Sequence, residues 1–198
     1  MSYELSRREA LRILGLGAPL APIALVAQER NYIRELADLI DTNRDRLPRD
    51  SVNTAYGNLI YRRVVFTQKK INDYQPLASA HPPIGSIEEQ IELRGLGRFA
   101  RAVLLSMGND KSLHIKIMPS DREPYQANIN WYWDRNLDTQ FDEGARGIWD
   151  SNISVPPDLL RPRTEMKESE ALAGQQEMDD AARDIADAIR EHLKLTDR

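Results

Sequence analysis

Residues 100–118 read ARAVLLSM-GNDK-SLHIKIM, and this stretch decides the fold class. In Ser112–Met118, Leu113, Ile115 and Ile117 alternate with His114 and Lys116. That period of two puts one face of a strand inward and leaves the other wet. Gly108-Asn109-Asp110-Lys111 supplies turn chemistry, and Ala100–Met107 is apolar enough to be the partner strand. Pro119 ends the second strand. The unit is an antiparallel hairpin.

Toward the C-terminus, YQANINWYW (125–133) is a further strand, with Ala127, Ile129, Trp131 and Trp133 alternating. GIWDSNISV (147–155) is a shorter one that stops at Pro156-Pro157. Residues 156–170 are polar and carry prolines, as a loop does. Residues 176–194 then form a helix. Met178, Ala182, Ile185, Ile189 and Leu193 make its apolar stripe, opposite Asp180, Asp184, Asp187 and Arg190.

Toward the N-terminus, Ser86 is a helix cap with Glu89 in the reciprocal position, which predicts a short helix to Leu93 stopped by Arg94-Gly95-Leu96-Gly97. Tyr74–Ser86 holds Pro76, Pro82, Pro83 and Gly85 and reads as a linker. Ile33, Leu36, Ala37 and Ile40 share one helical face ahead of Pro48. Ser51–Asp73 reads as a second helix, although its middle, LIYRRVVF, is β-branched enough to be a strand. The predicted class is α+β: N-terminal helices, a small, mostly antiparallel sheet of about four strands, and an amphipathic C-terminal helix. The organisation is 1–27 signal or anchor, 28–73 helical segment, 74–86 linker and 87–198 α+β domain.

Composition narrows the function classes. The chain has 198 residues, 41% hydrophobic and 29% charged, enough for one globular domain and a short appendage. A net charge of −4 disfavours nucleic acid as a partner. The absence of cysteine removes disulfides, thiolate metal sites and cysteine nucleophiles. His81, His114 and His192 have no ligand spacing between them. No catalytic residue, metal site or cofactor is expected.

Ser6-Arg7-Arg8-Glu9-Ala10-Leu11-Arg12 resembles the twin-arginine export signal of bacteria, with Ala10 where that family usually has Phe. Ile13–Ala27 follows without a charge, mildly apolar and rich in Gly, Ala and Pro. It is shorter than the ~20 residues that span a bilayer. The resemblance implies a periplasmic or envelope-associated protein, with Arg7 and Arg8 as the export determinants and residues 1–27 able to touch a membrane surface. Read instead as an amphipathic helix with Ser6 as cap and Glu9 three residues on, the segment leaves the protein cytoplasmic.

Two groups of residues invite chemistry. Asp134, Asp138, Asp142 and Glu143 are the paired carboxylates a hydrolase would need, although such acids on a turn-rich surface are ordinarily solvated. Trp131-Tyr132-Trp133-Asp134-Arg135 puts two indoles on one side of a strand beside an arginine. That suits stacking on a ring and pairing with an anion, with Trp131, Trp133 and Arg135 as ligand-binding residues. The plain alternative packs both indoles in the core beneath the closing helix.

FARAVLLSM, SLHIKIM and FDEGARGIW, together with the final DDAARDIADAIREHL, resemble a GAF-type sensor domain. SLHIKIMPSD, SVPPDLL and the acidic closing helix are similar to bacterial STING-like cyclic-dinucleotide receptors, in which the TAYGNLIY helix would form a homodimer. Either resemblance implies ligand binding without chemistry. The expected function is a non-enzymatic binding module of the envelope, partnered by a small-molecule ligand or an envelope protein complex. The alternatives are a cytoplasmic cyclic-nucleotide-type receptor and a carboxylate-dependent hydrolase.

Overall fold

The computed structural model describes residues 31–67, 85–95, 97–118, 126–150 and 160–195. The segment carrying Arg7 and Arg8 and most of the expected linker lie outside these residues. Helix α1 (Tyr32–Asn43) is followed by β1 (Val52–Thr54), β2 (Gly57–Val65), β3 (Ile87–Gly95), β4 (Arg98–Met107) and β5 (Asp110–Met118). Then come β6 (Gln126–Asp134), β7 (Glu143–Asp150), β8 (Arg161–Pro162) and the long closing helix α2 (Glu168–Leu193). The strands form one eight-stranded sheet in sequence order, each antiparallel to the next.

This overturns the expected sheet of about four strands behind N-terminal helices, because two predicted helices are strands. In Ser51–Val65 the chain reverses at Ala55-Tyr56, with Thr54 paired to Gly57. Thr54 Oγ1 braces that turn, donating to the Gly57 carbonyl (2.8 Å) and accepting from the Tyr56 N–H (3.2 Å). Gly57 has φ +131°, and a Cβ there would lie 2.4 Å from the Arg94 carbonyl oxygen, so only glycine fits. In β3, Ile87, Glu89, Ile91 and Leu93 share one face, with Ile91 and Leu93 opposite Tyr61 and Leu59 of β2. Glu89 is not a helix cap. Its carboxylate is buried, accepts from Tyr61 Oη at 2.8 Å, and lies 3.7 Å from Arg44. Arg94 and Gly95 stop no helix: they pair with Phe99 and Arg98 at the end of the β3–β4 hairpin, where Gly97 has φ +75°. β7 begins at Glu143, four residues before the expected strand, and residues 151–159 lie outside the described residues.

Both helices lie on one face of the sheet. Leu59, Tyr61, Ile91, Leu93, Ala102, Leu104, Leu113, Ile115 and Ile117 project into one core with Ile33, Leu36 and Ile40 of α1. From α2 come Met178, Ala182, Ile185, Ile189 and Leu193, the stripe read from sequence. The helix starts eight residues before the expected 176, and Ala171 and Gly174 on that extra length are buried too. Small residues let the helix lie close to the sheet: a Cβ on Gly174 would sit 2.8 Å from the Tyr132 ring. Asn31 caps α1 through Arg34 N–H (3.0 Å), and Lys194 at φ +54° closes α2 with Leu195 N–H on the Arg190 carbonyl (2.9 Å). Arg190 joins the two helices through ion pairs to Glu35 and Asp187.

Candidate functional site

The strand alternation that fills the helix-covered core sends every second residue to the opposite face. Register then sets two rows across that face, left open by the two described helices. One runs Gln90, Val103, His114, Trp133 and Glu143; the next runs Glu92, Arg101, Lys116, Trp131 and Ala145. Both tryptophans therefore stand on the side away from α2, so the plain alternative of core beneath the closing helix does not hold. Nor is this face simply wet. Phe99, Met118, Ile129 and Ala145 are buried in a second small core, against which Trp131 and Leu160 pack.

The sequence reading singled out Trp131, Trp133 and Arg135, and the fold adds His114. Its ring centroid is 4.3 Å from that of Trp133, inclined by 35°, and 5.7 Å from that of Trp131, inclined by 53°. The alternation places His114 on this face; its pairing opposite Trp133 depends on β6 lying next to β5. Both indoles are half-buried. Their Nε1 atoms, His114 Nε2 and Arg101 Nε are withdrawn from solvent with no hydrogen-bond partner among the described residues. Desolvation, with a smaller contribution from the charge of Arg135, lowers the His114 pKa to about 3, so the imidazole is neutral near pH 7.

Arg135 is engaged within the chain. Its guanidinium carbon lies 3.6 Å from the centroid of the Trp133 ring, and Nη2 pairs with Glu143 at 2.8 Å. The acidic residues come together as the frame of the β6–β7 loop. Asp134 is fully buried and accepts from Asn136 N–H (3.2 Å) and Thr139 N–H (3.0 Å). Burial raises its pKa, and the loop N–H groups oppose that rise. Asp138 accepts from Gln140 N–H (3.0 Å) and Asp142 from Arg135 N–H (2.7 Å). Leu137 and Thr139 have positive φ, the strained backbone that these bonds hold in place. Among the described residues no group of three or more His, Cys, Asp or Glu side chains could hold a metal ion.

A concavity of about 190 Å³ lies at the β7–β8 edge, lined by Tyr132, Gly144, Arg146, Arg161, Met166 and Glu170. Its polar groups have partners inside the protein. Tyr132 Oη donates to Glu177 (2.6 Å) and accepts from Arg146 (3.0 Å), while Arg161 pairs with Glu170 (3.2 Å). Compared with protein-family models, curated proteins and solved structures, the chain matches none.

Proposed function

We propose that this chain is a non-enzymatic binding module, a small-molecule sensor or an accessory subunit of an envelope complex, that engages its partner on the open sheet face around Trp131, Trp133 and His114. The observation that carries this reading is the set of ring nitrogens there, shielded from water and unpartnered among the described residues. An unpaired buried donor costs about 1–3 kcal/mol, which a ligand that pairs it recovers. Half-exposed indoles add stacking area at small entropic cost. Against the hydrolase alternative stands the use of Asp134 and Asp142 to hold loop backbone.

A thermal-shift screen of the full chain tests the reading. A specific ligand at a hundred times its Kd stabilises by about 2.7 kcal/mol, and this gain should vanish in the Trp131→Ala/Trp133→Ala double variant. A ligand that stabilises the variant equally would remove the site, and turnover lost on Asp134→Asn would favour the hydrolase. The envelope address rests on the twin-arginine resemblance alone. Replacing Arg7 and Arg8 with lysine should hold the protein in the cytoplasm, and unchanged fractionation would leave the cytoplasmic receptor as the better account.

A further inference from the structure

We propose that the outer edge of β2, from Arg63 to Val65, takes up an extended acidic segment of a partner protein as an added strand, with Arg62 and Arg63 pairing its carboxylates. This surface is separate from the face around Trp131 and Trp133, so the two readings stand or fall independently. The edge exists because β1 is too short to cover β2. β1 pairs only with Gly57–Leu59, and one further bond, Tyr61 N–H to the Pro48 carbonyl (2.7 Å), comes from the chain ahead of it. Alternation along an antiparallel strand fixes the rest. Even-numbered residues turn their N–H and C=O toward β3, as Phe66 N–H does in reaching the Ser86 carbonyl (2.9 Å). Odd-numbered residues turn theirs outward, so the N–H and C=O groups of Arg63 and Val65 have no partner among the described residues. The edge is accessible: Arg62 and Arg63 are exposed, and Val65 is 44% exposed.

A row of unpaired backbone groups is a template for another strand, and its main-chain bonds supply affinity without sequence preference. The side chains set the preference. Arg63 and Arg44 share the buried carboxylate of Glu89, at 4.0 and 3.7 Å, and Arg44 and Lys111 share Asp41. Three cations against two carboxylates leave one positive charge over beside the edge. Arg62 adds another. It lies across from Gln90, whose amide donates to Glu88, and it makes no ion pair among the described residues. Side chains alternate along the strand, so Arg63 stands on the helix-covered side with Tyr61 while Arg62 stands on the other. An added strand therefore meets an arginine whichever face its acids occupy. A second copy of this chain fits less well. Two β2 edges paired about Arg63 would set that arginine against its own copy, and like charges directly opposite are destabilising.

Backbone 15N spectra of the full chain test this with capped octapeptides of alternating Thr and Glu, or of Thr and Lys. In the protein alone, the amides of Arg63 and Val65 should exchange with solvent about tenfold or more faster than those of Arg62 and Val64, which face β3. The Glu peptide should shift and protect the Arg63 and Val65 amides, and the Lys peptide should bind about tenfold or more weakly. Val65→Pro removes an outward N–H and no sheet bond, so it should abolish binding with little change in melting temperature. Arg62→Glu, at an exposed side chain, should weaken the Glu peptide about tenfold or more. If Val65→Pro fails to fold, Arg62→Glu and the amide shifts of the unsubstituted protein decide. Arg63 and Val65 amides that stay static up to about 5 mM Glu peptide would overturn the proposal. So would slow exchange of those two amides in the protein alone, or equal affinity for the two peptides. A concentration-dependent dimer in sedimentation that Val65→Pro dissolves would give the edge to a second copy and overturn the acidic partner.

Discussion

One row of residues crosses the sheet as Tyr61, Ile91, Ala102, Ile115, Tyr132 and Gly144; one position along each strand, another crosses as Ile60, Glu92, Arg101, Lys116, Trp131 and Ala145. The first row lies under the helices, and its hydroxyls are satisfied: Tyr61 by Glu89 and Tyr132 by Glu177. The second lies on the opposite face, where Arg101 and Trp131 have nitrogens that are buried and unpaired among the described residues. The two rows share strands, register and twist, so backbone pairing cannot explain the difference. What differs is the covering layer: two helices with small, apolar, shape-matched residues on one side, and a partial core with unmatched donors on the other. Unsatisfied buried polar groups are few in native proteins, and among the described residues most of those in this chain lie on the face away from the helices.

The largest expected effect lies on the covered side. Ile185 is fully buried at the centre of the stripe where α2 meets the sheet. Ile185→Asp should cost about 3 kcal/mol or more, read as a lower urea midpoint, because it leaves an unpaired charge in an apolar core. Val103, half-buried on the open face, should tolerate the same change at about 1 kcal/mol. Equal losses would show that the open face is as much core as the other.

An effect visible only in acid sharpens the contrast through His114. Its folded pKa of about 3 lies below the ordinary histidine value of 6.5. Between those values the unfolded chain binds a proton that the folded chain refuses, so stability rises with pH across that window. The contribution is complete above pH 6.5 and is lost as pH falls toward 3. His114→Phe keeps an aromatic ring and removes the titration. Its melting temperature should therefore fall less than that of the unsubstituted protein between pH 6.5 and 4. Parallel curves would mean that His114 is solvated and the open face wetter than its geometry indicates.

Much of the covered side was legible from sequence, because both helices there carry stripes with the single period of 3.6. The hairpin of β4 and β5 was equally plain, since a period of two and a turn tetrapeptide coincide. The remaining strands were hidden by patterns that satisfy both periods. Ile87 and Ile91 are four apart, which suits a helix face and a strand face alike, and Ser86 with Glu89 imitates a reciprocal cap. What distinguishes them is Glu89 meeting Tyr61, a contact 28 residues apart that no local pattern announces. The same holds at the site. The alternation of Trp131 and Trp133 was readable, but His114 joins them only through the β5–β6 pairing, and the engagement of Arg135 with Glu143 only through the β6–β7 loop.

The smallest expected effect concerns Arg135, at the border of the open face. Its side chain is 48% exposed, stacks on Trp133 and pairs with Glu143. An exposed cation–π contact contributes about 0.5–1 kcal/mol and an exposed ion pair about 0–1 kcal/mol. Arg135→Ala should therefore lower stability by about 0.5–2 kcal/mol in urea unfolding. Because the guanidinium covers part of the Trp133 ring, its removal should alter tryptophan emission. The sequence reading assigns Arg135 a different task, pairing directly with an anionic ligand. A tenfold loss of affinity in Arg135→Ala for a ligand found by the thermal-shift screen would restore that role and move the ligand from the centre of the face toward the β6–β7 loop.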